Sequence, residues 1–203
     1  MPGTVLGRTA AGLQAGFAAL ILLVLVVDEV PGDGSFVRQS PGDDVRAVAL
    51  VVDWLTGYAG MAVLTMLLIL LLARLGRRRD AVLCGVAVGG AMFGNALCKQ
   101  LVRRARPELL PPDVEVSSFS FPSGHAAATA AVVVAALLTV RGTRVLVPLA
   151  AVGGLLVVGA AAAQLALAVH RPSDILGGWL WAAAWTTAVW AAFGRQPGAD
   201  LAE

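Results

Sequence analysis

Two histidines, one lysine and several arginines fall in three short stretches whose residue types suit the chemistry of a phosphoryl group. The first is Lys99-Gln-Leu-Val-Arg103-Arg104-Ala-Arg106-Pro107. If the helix leading into it continues, Lys99, Arg103 and Arg106 stand at i, i+4 and i+7. They then share one face over roughly 10 Å, with Arg104 pointing elsewhere. An ammonium beside guanidinium groups offers the charge-assisted and bidentate donors that a phosphate takes, and would equally anchor an anionic lipid headgroup. The second stretch is Phe121-Pro122-Ser123-Gly124-His125. Serine is a favoured N-cap, and glycine lets a ligand approach the backbone. The unpaired N–H groups of a helix start attract anions, and His125 in the first turn is placed to protonate a leaving oxygen. The third is His170-Arg171-Pro172-Ser173-Asp174. Pro172 and Ser173 mark a helix start, and Asp174 suits its first turn. Four residues from His170, the Asp174 carboxylate can hold the imidazole in one tautomer, which prepares the other ring nitrogen to attack. Each stretch alone has an ordinary reading as an interfacial anchor or a helix cap. Both histidines of the chain, however, lie beside a serine and a proline at a helix opening, and that coincidence argues for one joint site.

The elements that must position these residues are long and apolar. The chain has 203 residues, 58% of them hydrophobic and 14% charged, with a mean hydropathy of +0.81. About 20 apolar residues span a bilayer core. Apolar runs at residues 10–27, 55–73, 81–98, 122–140, 145–169 and 174–193 predict six transmembrane helices in an all-α, polytopic membrane protein. The first run is long for the apolar region of a secretory signal and no small-x-small cleavage site follows it, so it reads as a retained helix. Residues 30–44 form a polar loop. Asp43 and Asp44 open a helix that continues into the second run, and Asp53 within that lead-in reads as interfacial.

Orientation follows from the arginines. Arg8, Arg74, Arg77, Arg78, Arg79, Arg141, Arg144 and Arg195 fall on one side of a six-span layout, which is then cytoplasmic. The opposite side holds the acidic first loop, residues 99–121 and residues 170–174. Four cations between Lys99 and Arg106 violate the positive-inside pattern there, which points to a task for them. The net charge of +2 gives no reason to expect nucleic acid, because the arginines sit at membrane boundaries. Cys84 and Cys98 share one predicted helix about 20 Å apart, too far for a disulfide. No zinc or redox pattern and no carboxylate cluster for a metal is present. Trp179 and Trp190 fit positions near the two interfaces, while Trp181 and Trp185 fit packing against a neighbouring helix or a second subunit.

Lys99-x6-Arg106-Pro107, Pro122-Ser123-Gly124-His125 and His170-x3-Asp174 resemble, in order and spacing, the three motifs of the type 2 phosphatidic acid phosphatase superfamily, over roughly residues 99–178. The resemblance implies a PAP2-like helical bundle in a single membrane domain of residues 1–203, working without a metal or other cofactor. It implies that His170 forms a phosphohistidine, that Asp174 orients it, and that His125 protonates the departing lipid alcohol. Lys99, Arg106, Ser123 and the Gly124 amide would hold the phosphoryl oxygens. One departure stands out. The third motif of the superfamily normally begins Ser-Arg six residues before the nucleophile, and here those positions are Ala163 and Gln164. Gln164 offers the phosphate one neutral amide in place of a charged fork, and losing one such contact costs about 10²–10³ in rate. Arg103 or Arg171 would be the nearest sources of replacement charge. The expected substrate is a lipid phosphate of the outer leaflet: phosphatidic acid, phosphatidylglycerophosphate, or a polyprenyl phosphate or diphosphate. The expected location is the cell membrane, with both termini cytoplasmic and the site facing the periplasm or exterior, in a monomer or a homo-oligomer. Two other readings stay open. One is a non-catalytic relative that binds anionic lipid, for which Ala163 and Gln164 speak. The other is a phosphotransferase, in which an alcohol resolves the phosphohistidine.

Overall fold

A computed structural model describes residues 2–27, 30–36, 42–107 and 118–194, and all regular structure among them is helical. The elements are α1 (Pro2–Val26), the single turn α2 (Asp33–Phe36), α3 (Asp43–Thr56), α4 (Tyr58–Arg74), α5 (Arg78–Val102), α6 (Gly124–Thr139), α7 (Leu146–Ala166) and α8 (Pro172–Phe193). Arg195, assigned above to the cytoplasmic side, lies outside the described residues.

α6 is the centre of the bundle because its side chains are small. Ala126, Ala127, Ala128, Thr129 and Ala131 are buried on several sides at once, and α4, α5, α7 and α8 all pack against it. Its approach to α8 depends on Gly178, where a Cβ would stand 2.6 Å from Ser123 O and 3.0 Å from Ala127 N. Lipid tails supply no hydrophobic drive between helices, so close packing of this kind carries much of their association. α5 seats the tryptophans of α8 in the same way. Trp181 Nε1 donates to Ala91 O at 2.7 Å, Trp185 stacks on Trp181, and Trp190 is buried in the main core. The expected packing of Trp181 and Trp185 on a neighbouring helix is thus found within the chain. α1 lies along α8, with Phe17 stacked on Phe121 at 6.2 Å and tilted against Trp181 at 5.5 Å.

Among the described residues, three helices are long and apolar enough to cross a membrane: Val5–Val26, Arg78–Val102 and Leu146–Ala166. The pair α3–α4 adds a fourth if it counts as one bent crossing. The apolar belt of α1 and α7 is turned outward, with Leu22, Val26, Val147 and Leu155 exposed, as lipid-facing helices require. This is a membrane protein of the all-α class. The two helices that fall short of the expected six are inner ones. α6 has 16 residues, and α8, at 22 residues, opens on Pro172, Ser173 and Asp174 and carries four tryptophans. Helices enclosed by other helices need not be apolar all round.

Two expected continuities are broken. The helix predicted from residue 43 through 73 stops at Gly57, whose extended backbone separates α3 from α4 at a bend of 49°. The predicted extension of α5 into residues 99–106 ends at Val102, because Arg103 adopts the left-handed conformation (φ 52°, ψ 33°). α7 likewise ends at Ala166, three residues early, and a turn through Ala168 (φ 53°) delivers His170.

The arginine-rich end of the bundle is fixed by helix C-termini. Arg77 Nη2 donates to Thr139 O at the end of α6 (2.6 Å), and Arg79 Nε and Nη2 donate to Phe193 O at the end of α8 (3.1 and 2.5 Å). Cations there complement the negative helix ends. The N-termini of α6 and α8 therefore open together at the other end, about 24 Å away along α6.

Candidate active site

The start of α8 sets the first half of the site. Asp174 Oδ2 lies 3.4 Å from His170 Nδ1 and accepts the Arg171 N–H at 2.8 Å. The same oxygen accepts a short hydrogen bond from Ser120 Oγ, and Oδ1 accepts from Arg104 Nη1 at 2.7 Å. A carboxylate only accepts, so the His170 proton facing it belongs to Nδ1. Arg106 Nη1, which only donates, stands 3.2 Å from Nε2, so Nε2 presents its lone pair. Two obligate partners thus select the tautomer that nucleophilic attack through Nε2 needs. Burial lowers the His170 pKa to about 4, with Asp174 pulling it up and Arg106 and Lys99 pushing it down. The ring is therefore neutral at neutral pH. With two histidines in the chain, ring-carbon NMR of the labelled protein resolves the matter directly. His170 is expected to stay neutral and Nδ1-protonated as pH falls through 6.5 toward 5, and a midpoint at 6.5 or above would contradict this geometry.

Two cations act on the same ring, Lys99 from the last turn of α5 and Arg106 from the segment after it. Lys99 is buried, and its Nζ donates to Phe119 O at 2.6 Å and Ser120 O at 3.4 Å. Arg106 donates from Nη1 to Val169 O (2.7 Å) and from Nε to Ser118 O (3.0 Å). The expected common face with Arg103 is not formed, because the helix ends before it. Arg103 is exposed and turns back to Gln100 O at 3.0 Å. The break exchanges the two arginines, and Arg104, expected to point elsewhere, is the buried one. It binds Asp174 Oδ1, Ser173 Oγ (2.6 Å) and Asp33 Oδ2 (2.8 Å). Asp33 in turn accepts the Ser173 N–H at 3.0 Å and the Ser173 hydroxyl at 2.6 Å. Burial opposes the charge of Arg104, but Asp174 and Asp33 outweigh it and raise its pKa. Arg171, the other expected source of spare charge, donates to Ala105 O at 2.8 Å.

The start of α6 sets the second half. Ser123 caps the helix, its Oγ accepting from Ala126 N at 3.4 Å, and its own N–H donates to Asp174 O at 2.9 Å. That bond ties the two helix starts together. Gly124 has no room for a Cβ, because the Tyr58 hydroxyl fills the space. His125 Nε2 lies 3.1 Å from Asp53 O and 3.2 Å from Asp53 Oδ1, both acceptors, so Nε2 carries a proton. The bond from Ser123 to Asp174 sets His125, two residues after Ser123 in the first turn of α6, at the end of the bundle where His170 meets Arg106.

Asp53, read in the sequence only as interfacial, joins the site. α3 packs on α7 through Ala49, Ala163 and Leu167. One turn beyond Ala49, Asp53 is carried to the same face, where its Oδ1 accepts from Gln164 Nε2 at 2.6 Å. The amide donor of Gln164 is therefore engaged by a carboxylate. Asp33, Asp53, Arg104 and Ser120 all enter the site without having been singled out for it in the sequence. For Arg104 a signal existed in its position two residues before Arg106, but reading it requires knowing where α5 stops. Asp33 and Asp53 reach across 140 and 111 positions to Ser173 and Gln164, and no local pattern announces such contacts.

A family model described as the PAP2 superfamily matches residues 80–197. The decaprenylphosphoryl-5-phosphoribose phosphatase of Mycobacterium tuberculosis is 39% identical over 118 residues, covering 54% of this chain and 62% of that protein. Its namesake from Mycolicibacterium smegmatis is 37% identical over 112 residues, covering 53% and 57%. The chain thus spans about three fifths of the length of these curated relatives. The crystal structure of a transmembrane PAP2-type phosphatidylglycerolphosphate phosphatase from Bacillus subtilis superposes with a TM-score of 0.58 at 24% identity, over 89% of this chain and 93% of that one. At that identity the likeness is one of fold.

Proposed function

This chain belongs to the PAP2 superfamily, and on that premise we propose that it is a membrane phosphatase that hydrolyses a lipid phosphate through a phosphohistidine at His170. The observation that carries the reading is the state of that ring. Its Nδ1–H faces Asp174, and its Nε2 lone pair faces the guanidinium of Arg106. A phosphate anion drawn to Arg106 and Lys99 arrives beside the nucleophile. In the first step Nε2 bonds to phosphorus and the bond from phosphorus to the lipid oxygen breaks. His125, in its imidazolium form beside the Asp53 carboxylate, supplies the proton that the departing oxygen takes up and is left as neutral imidazole. In the second step His125 accepts a proton from water, whose oxygen attacks phosphorus, and the N–P bond breaks to release inorganic phosphate. Lys99, Arg106, Ser123 and the Gly124 amide hold the phosphoryl oxygens, the two cations giving up bonds such as those to Phe119 O and Val169 O to do so. The paired starts of α6 and α8 add their positive ends to that pocket.

The substrate is a lipid phosphate reaching the site from the bilayer. The names of the curated relatives support a polyprenyl-linked sugar phosphate, and phosphatidic acid and phosphatidylglycerophosphate remain in the same class. Six crossings, cytoplasmic termini and an outward-facing site complete the reading, and the arginines capping α6 and α8 at the opposite end support that orientation. Purified protein offered these lipids is expected to release inorganic phosphate. Binding without release from any of them would favour the non-catalytic reading, which the capture of Gln164 by Asp53 supports. Label transferred to a second alcohol would favour a phosphotransferase. Restoring the guanidinium tests the altered pocket. Gln164→Arg is expected to change turnover of at least one lipid phosphate by about 10-fold or more, since one such electrostatic contact is worth about 10²–10³. Unchanged turnover of all of them would contradict a role for this position in the pocket.

A further inference from the structure

Asp53 carries a negative charge where the helix gives it no support. It stands in the last turn of α3, the end at which the helix dipole disfavours a carboxylate, and its side chain is one third exposed. Oδ1 is shared by Gln164 Nε2 at 2.6 Å and His125 Nε2 at 3.2 Å. Oδ2 makes no hydrogen bond or ion pair among the described residues. An arginine at position 164 would neutralise this carboxylate. The neutral Gln164 orients it and leaves its charge in place.

The position of that charge relative to the reaction is fixed by the two histidines. In-line displacement at phosphorus puts the departing oxygen opposite His170 and next to the proton donor. The donor is His125 Nε2–H, which touches Asp53. Whatever is attached to the departing oxygen therefore meets the Asp53 carboxylate, while Lys99 and Arg106 are occupied with the phosphoryl group on the side of His170. Three kinds of leaving group fare differently there. A hydroxyl on the carbon next to the phosphorylated one donates a charge-assisted hydrogen bond to Oδ2. A diacylated glycerol has no donor to offer. A diphosphate presents a departing phosphate anion, which the carboxylate repels at short range.

We infer that Asp53, held by Gln164, selects the leaving group: the site takes phosphate monoesters whose leaving alcohol is a polyol or a sugar, and discriminates against diphosphates. The inference rests on the phosphatase reading above. It is tested with the purified full chain by comparing kcat/KM for phosphatidylglycerophosphate, which has a hydroxyl beside the phosphorylated carbon, with phosphatidic acid and with a polyprenyl diphosphate. The natural protein is expected to rank them in that order. Asp53→Ala is expected to lower the preference for phosphatidylglycerophosphate over phosphatidic acid by about 10- to 100-fold, the usual range for a hydrogen bond to a charged group. Asp53→Asn, which preserves shape and an acceptor for Gln164, is expected to raise diphosphate turnover relative to phosphatidic acid by about 10-fold or more. Equal losses on phosphatidylglycerophosphate and phosphatidic acid in both variants would show that Asp53 serves only to position His125 and would overturn the inference. A natural protein that prefers the diphosphate would overturn it too. A natural protein that hydrolyses none of the three would instead remove the phosphatase reading, and this inference with it.

Discussion

Replacing His170 with alanine is expected to lower lipid phosphate turnover by about 10⁴-fold or more, the scale on which loss of a covalent nucleophile acts. The fold should survive, because Asp174 keeps its bonds to Arg104, Ser120 and the Arg171 N–H when the imidazole is gone. The matching change at His125 has a different signature. A general acid contributes about 10²–10⁴-fold, and its contribution shrinks when the leaving group needs no proton. p-Nitrophenyl phosphate is therefore expected to recover a large share of the activity lost in His125→Ala and none of that lost in His170→Ala. Comparable recovery in both variants would mean that the two rings do not divide the work as nucleophile and acid.

The second large effect is expected at Arg104. Its guanidinium joins Asp33 and Asp174, and the side chains of all three are buried. Removing one member of a buried ion network strands the others as uncompensated charges, at a cost of about 3–5 kcal/mol. Arg104→Met is expected to destabilise the folded protein by that amount and to lower activity with it, since Asp174 loses the donor on Oδ1 and its hold on His170 loosens. Arg103→Met, one position away on an exposed residue, is expected to shift stability by no more than about 0.5 kcal/mol. Thermal unfolding of both variants in detergent is the check. Equal effects at the two positions would mean that the helix does not end between Val102 and Arg103.

That contrast marks where sequence reasoning reached its limit. Residue type and spacing were enough to select His125, His170, Asp174, Lys99, Arg106 and Ser123, because each belongs to a short local pattern: a helix opening, an i to i+4 pair, a cluster of cations out of place. In the structure His170 meets Asp174 and Arg106, and Ser123, two residues before His125, bonds the Asp174 carbonyl. The same local logic failed for Arg103 and Arg104. Their faces depend on a left-handed residue that ends α5, and an arginine in that conformation has no signature in composition. Asp53 was out of reach for a different reason. Its meaning comes from the packing of α3 on α7 and from Gln164, 111 positions away. Hydropathy marked the outward-facing helices, which meet lipid along their length. It marked the inner helices α6 and α8 as well, although their neighbours are protein and α8 carries Gly, Thr and Trp.

The direct trial of the account is to find the phosphoryl group on the protein. A lipid phosphate radiolabelled in its phosphoryl group would be mixed with the purified chain, quenched in alkaline detergent that preserves phosphoramidates, and digested for peptide mapping. The label is predicted on the peptide containing His170 and nowhere in the His170→Ala protein. Steady release of inorganic phosphate with no covalent label, or a label carried by His125, would contradict it.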